Sequence, residues 1–147
     1  MSTGLGIAVG LQVVHLLYHQ ITTLFDFFPF NGVRFYSRRE RIIEAGVNLV
    51  LMSLPPIGFA LRVRPLMLFG VVYYFVLLAI EFATWWIPYL FRPSQKWLEV
   101  YSRIHSQTIT VLPRRGNNPV PNLEHLILHC LSLVTAPVTL ATYCIFR

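Results

Sequence analysis

Four apolar stretches, each about as long as a bilayer is thick, decide what this chain can become. They run from Gly4 to Phe25, Ile42 to Leu61, Pro65 to Phe91 and Leu123 to Phe146. A hydrocarbon core ~30 Å thick takes roughly 20 helical residues to cross. Inside lipid the backbone must satisfy its own polar groups, which makes each stretch a helix. At 55% hydrophobic and 12% charged residues, the chain has about half the charge a soluble domain carries on its surface. The expected fold is therefore all-α, a four-transmembrane-helix antiparallel bundle forming a single membrane domain over residues 1–147. The short Arg62-Val63-Arg64 link makes the second and third spans neighbours. The first stretch has no basic residue before it and no small-residue cleavage site, so it reads as a span and not as a signal peptide.

Basic residues set the expected orientation. Arg34, Arg38, Arg39 and Arg41 precede or open the second span, and Arg92, Lys96, Arg103, Arg114 and Arg115 lie between the third and fourth. Only Arg62, Arg64 and Arg147 fall on the other side. The asymmetry places both basic loops in the cytoplasm and both termini outside, in a multi-pass protein of the cell membrane. A net charge of +6 is then a topology signal whose partners are the lipid bilayer and its anionic headgroups; no nucleic acid is implied.

Seven of the polar side chains within the apolar spans stand out: His15, His19, Glu44, Asn48, Glu81, His125 and His129. A charge-capable group at the bilayer centre costs roughly 2.5–3.5 kcal/mol on insertion scales, so each needs a partner or a purpose. At ~1.5 Å per residue, His19, Asn48 and His129 lie about 10 Å from the cytoplasmic ends of their helices, with His15 and Glu81 about 15 Å deep. Glu44 and His125 fall near the surface. Spacing aligns them on faces: Ala8, Gln12, His15, His19 and Thr22 on helix one; Glu44 and Asn48 on helix two; Glu81 and Trp85 on helix three; His125, His129, Ser132 and Ala136 on helix four. Four helices thus deliver polar groups to one layer facing the cytoplasm.

Three kinds of role fit such a layer. It can bind a small molecule or a cation, the reading favoured here. It can pack helices through hydrogen bonds in a structural or interaction subunit. It can also hold zinc, an iron pair or a haem in a membrane enzyme, since histidines at i and i+4 share a helix face. For a metal, depth selects His19, His129 and Glu81, with His15 and His125 at the periphery, and Glu81 is expected within hydrogen-bond reach of His19 or His129. No catalytic motif names a reaction, and the cofactor stays open, with none expected ahead of zinc, iron or haem. Gly6 and Gly10 form a GxxxG step suited to close helix packing or a homo-oligomer. Pro55-Pro56 is expected to kink the second span, and Pro88 to end or bend the third. Cys130 and Cys144 lie about four turns apart on one helix, cannot bridge, and read as small packing residues.

The loop after the third span carries a second signal. Ser94 can cap a short helix with Trp97, Tyr101, Ile104 and Thr108 on one face and Lys96, Glu99 and Arg103 on the other, as in a helix lying on the membrane surface. Arg114 and Arg115, beside a Gly-Asn-Asn turn, can contact a phosphate or lipid headgroup. Asn122 is placed to cap the fourth helix. The run Trp86-Ile87-Pro88-Tyr89, Gln107-Thr108, Leu112-Pro113, Arg115-Gly116-Asn117-Asn118-Pro119-Val120-Pro121, His125 and His129 resembles uncharacterised small bacterial multi-pass membrane proteins. The resemblance implies a bacterial cytoplasmic membrane and no particular activity.

Overall fold

The computed structural model describes residues 3–91 and 93–146; Met1, Ser2, Arg92 and Arg147 lie outside it, including two of the basic residues used above. Among the described residues there are five helices and no strand. They are α1 (Thr3–Leu24), α2 (Arg38–Leu61), α3 (Arg64–Leu90), α4 (Gln95–Ile104) and α5 (Leu123–Phe146). All but α4 are long and apolar enough to cross a membrane.

Local chemistry explains the helix ends. Ser37 and Glu40 form a reciprocal capping box, with Ser37 Oγ accepting from the Glu40 N–H at 3.2 Å and Glu40 Oε2 from the Ser37 N–H at 2.7 Å. Two orphan donors are thereby satisfied, and α2 begins at Arg38, ahead of its apolar window. Asn122 caps α5 as expected, its Oδ1 accepting from the His125 N–H at 3.0 Å. Between α2 and α3 the chain reverses through Arg62 in the left-handed region, φ 57°, and the Val63 N–H bonds back to the Gly58 carbonyl at 2.8 Å. Gly58 permits this close return, because a Cβ there would sit 2.5 Å from Leu66 Cβ. Pro55 and Pro56 are buried within α2, which continues past them to Leu61.

Helix α1 packs against α2 and α5, and α3 packs against the same two. The partition of side chains is the reverse of a soluble protein's. Ile7, Val14, Leu17, Ile42, Val50, Val72, Ile80 and Leu133 are exposed, while Gln12, His15, Glu81, His129, Ser132, Thr135 and Thr139 are buried. An apolar belt of this extent is stable only where lipid covers it. The apolar part of the interior lies at the α2–α3 turn, where Leu5, Ala8, Phe59 and Met67 cluster.

At the opposite end the two basic loops meet. The Ile109 N–H donates to the Pro29 carbonyl at 2.9 Å, and the Leu123 N–H donates to the Ile109 carbonyl at 2.8 Å. One extended residue thus joins the first loop, the third loop and the start of α5. Helix α4 corrects an expectation here. Ser94 does cap it, accepting from the Trp97 N–H at 3.2 Å, but its apolar side is turned onto the protein. Trp97 meets Trp85 edge-on at 5.3 Å, and Ile104 and His105 are buried, with Ile104 against Gly32. Amphipathicity alone does not distinguish a lipid-facing stripe from a protein-facing one. Gly10 also departs from an intrachain packing role, since no other part of the chain approaches the place of its missing Cβ within 4 Å. Cys130 and Cys144 are exposed and free, so neither fills the core.

Candidate functional site

A cavity of about 110 Å³ lies among the four long helices. Its walls include His15 and His19 from α1, Asn48 from α2, Glu81 from α3, and His125 and His129 from α5. Six of the seven polar residues singled out in the spans therefore converge. Glu44 does not reach this chamber. It lines a smaller hollow nearer the loops with Tyr36, Arg41, His105 and Glu124, and that hollow also contains His125. The expected single layer is thus two adjoining spaces that share one histidine wall. His19 Nε2 and Glu44 Oε1 stand 4.0 Å apart, beyond hydrogen-bond range.

Glu81 is held differently from the expectation. Its Oε1 accepts a 2.6 Å hydrogen bond from Ser132 Oγ on α5, and neither His19 nor His129 is its partner. His15 Nε2 lies 3.5 Å from the same Ser132 oxygen, while the His15 ring stacks on Tyr74 at 5.5 Å between centroids. With the serine proton directed at the carboxylate, His15 is the group that can donate to Ser132. The result is a chain from α1 through α5 to α3. Deeper still, Gln12 Nε2 donates to Thr139 Oγ1 at 3.0 Å.

Hydrogen-bond chemistry also fixes two histidine tautomers. Trp86 Nε1 donates to His129 Nδ1 at 3.1 Å, and an indole nitrogen can only donate. His129 is therefore neutral, with its proton on Nε2. His125 is set the opposite way: its Nδ1 lies 2.7 Å from Asn122 Oδ1, an oxygen that already accepts the His125 backbone N–H, while Asn122 Nδ2 donates to Thr108 Oγ1. His125 thus carries its proton on Nδ1 and offers a lone pair at Nε2.

These tautomers bear on the metal triad expected from depth. A histidine ligand ordinarily donates its second ring N–H outward to an acceptor; His129 instead receives a proton there and has no lone pair left for an ion. Among the described residues no three His, Cys, Asp or Glu side chains are grouped to hold a metal, His19, His129 and Glu81 included. The cavity, at about 110 Å³, is smaller than the ~300–1,000 Å³ of pockets for sizeable ligands.

A turn of π-helix at Phe82–Trp86 positions the aromatic wall. It closes with the Ile87 N–H bonded to the Phe82 carbonyl, just before Pro88. Pro88 lacks an N–H and its ring crowds the carbonyl four residues back, so a wider turn ahead of it relieves the ladder. The register shift sends Trp85 inward and Trp86 to His129. Trp85 lies 4.1 Å from His125 and 4.9 Å from His105 between ring centroids. His105, outside the spans, is 2% exposed, and burial holds its imidazole down at about 4. Its neighbour Tyr36, whose hydroxyl is 3.5 Å from His105 Nε2, has its own ionisation pushed up by burial and then by nearby carboxylates, Glu44 foremost.

Three participants escaped the reading of the sequence. His105 lies four residues after Tyr101 and eight after Trp97, so it continues their stripe. Tyr74 is two helical turns before Glu81 on the same face. Glu124, in the first turn of α5, borders the outer hollow with Glu44. Arg114 and Arg115 are exposed on the third loop. Arg114 borders a shallow hollow with Gly116 and Asn117, and the Arg115 guanidinium lies 5.5 Å from the Tyr89 ring centre. Tyr89 OH donates to the Pro113 carbonyl and Asn118 Nδ2 to the Tyr89 carbonyl, each at 3.0 Å, which fastens this loop to the end of α3. No protein-family model, curated protein or solved structure matches the chain.

Proposed function

We propose that this is a membrane protein whose intramembrane chamber binds a small polar group, with Glu81, His15 and His129 as its principal contacts. One observation carries the reading. Glu81 Oε2, His15 Nδ1 and His129 Nε2 are all buried without a hydrogen-bond partner, and their residues line the same cavity. A network that served only to join helices would use these atoms, because each orphan costs about 1–3 kcal/mol. A donor and acceptors left open together form a complementary surface. The mixture favours a small molecule over a bare cation, since His129 presents an N–H to the space.

The surrounding architecture is read as an antiparallel bundle in a single membrane domain. Contacts that pair Gly58 with Leu66 and Pro55 with Gly70 support it, as do those pairing Gln12 with Thr139 and Tyr18 with the Glu124 carbonyl. The basic loops are assigned to the cytoplasm and the termini to the outside of a cell membrane, bacterial by resemblance. Arg114 and Arg115 rest on anionic headgroups, and Gly6 with Gly10 offers a surface for a homo-oligomer.

The test uses purified protein in detergent with small polar probes: acetamide, imidazole and ethylene glycol. At least one should raise the melting temperature by roughly 2–5 °C at saturation. The shift should vanish in Asn48→Leu, which fills the chamber wall with an apolar side chain. No shift with any probe would leave helix packing as the role of these residues.

A further inference from the structure

The chamber is too small to hold a whole ligand of ordinary size, yet it adjoins a larger space. An apolar groove of about 320 Å³ runs along the outer surface between α3 and α5, lined by Leu78, Phe82, Trp86 and Leu133 together with Glu81 and His129. Phe82 and Leu133 are more than half exposed on a surface that faces lipid. Glu81 and His129 therefore border two spaces, one polar and internal, the other apolar and open to the bilayer. A ligand matching both has a compact polar head and a hydrocarbon tail.

The orphan atoms select the head. Glu81 Oε2 seeks a donor, and His129 Nε2, protonated because Trp86 occupies Nδ1, seeks an acceptor. A hydroxyl does both with one oxygen. A carboxylate or phosphate would oppose Glu81, and an ammonium would oppose the His129 N–H. Building on the chamber as a binding site, we infer that its ligand is a membrane-dissolved amphiphile with a hydroxyl head, which comes sideways from the bilayer between α3 and α5. The two atoms are buried. Entry of the head therefore requires a side chain of the groove wall, such as the exposed Phe82, to turn aside.

Full-length protein in lipid nanodiscs can be photolabelled with dodecanol carrying an alkyl diazirine, and the labelled residues mapped by mass spectrometry. Labels should concentrate on Leu78, Phe82 and Leu133. Unlabelled dodecanol should reduce them roughly 10-fold at saturation, whereas its methyl ether, which cannot donate to Glu81, should compete at least roughly 10-fold more weakly. Leu133→Trp fills the groove from the lipid side, away from the helix interfaces. It should abolish specific labelling while the protein stays monodisperse and fully helical. Even labelling around the lipid-facing surface, or equal competition by the ether, would overturn the inference. If the small polar probes still raise the melting temperature when dodecanol fails, the chamber stands and only the amphiphile is wrong. If both fail, both readings fall.

Discussion

His125 and His129 sit one turn apart on α5 and are held in opposite tautomers by what lies behind them. Nitrogen-15 NMR of ring-labelled protein should show His129 protonated at Nε2 and His125 at Nδ1. Trp86→Phe should release the first preference and leave the second intact. Glu81 makes a second residue-scale prediction. Glu81→Gln keeps an acceptor for Ser132 and should lie within about 1 kcal/mol of wild type, while Glu81→Leu should lose about 1–2 kcal/mol. Equal unfolding curves for the two variants would mean that the Ser132 bond contributes nothing. The third concerns pH. His105 is held at about 4 against an ordinary 6.5 by burial. As pH falls through 6.5 the unfolded chain takes up a proton that the folded chain refuses until about 4, so stability falls across that window, by on the order of 3 kcal/mol if the shift is fully expressed. His105→Phe should remove this share of the slope in denaturant titrations at pH 7, 5.5 and 4.5. The identity of the polar residues was legible in the sequence because each violates the apolar rule of its span. Their partners were not. Ser132 is an ordinary residue in a helix, and only the packing of α3 beside α5 makes it the ligand of Glu81.

Element boundaries were readable wherever a local device sets them: the Ser94 and Asn122 caps were expected from residue type. The α2 start at Arg38 required weighing the Ser37–Glu40 box above hydropathy. The π-turn was invisible to a hydropathy reading, though Pro88 marked its position. The turn between α2 and α3 gives a sharp test. Gly58→Ala places a methyl 2.5 Å from Leu66 Cβ and 2.8 Å from the Leu66 carbonyl carbon, a conflict with backbone that no rotamer relieves. It should cost about 1–3 kcal/mol. Gly46 and Gly10 have open space at the same position within the chain, so in the detergent-solubilised monomer Gly46→Ala and Gly10→Ala should be neutral or gain up to about 1 kcal/mol from helix propensity. Thermal unfolding of the three variants in one detergent separates these outcomes.

For the molecule as a whole, the four spans followed from length and apolarity alone, whereas the side of α4 that meets protein required a partner surface no single helix reveals. The bond from Ile109 to Pro29 brings both basic loops to one end. In a cysteine-free background, single cysteines at Ser37 and Asn117 should therefore always react from the same side. With the proposed orientation, an impermeant thiol reagent should reach neither in intact cells. Labelling of only one would contradict the loop contact, and labelling of both from outside would invert the topology. The Ser132–Glu81 bond also carries a consequence for how the protein is made. Serine and carboxylate belong to the fourth and the third spans, so a nascent chain halted before residue 123 lacks the serine that bonds Glu81. During synthesis the three-span intermediate is thus the costly stage, and arrival of the fourth span both pairs the carboxylate and lets the third loop settle against the first. A chain truncated before residue 123 should therefore be less stable in detergent than one that includes the fourth span.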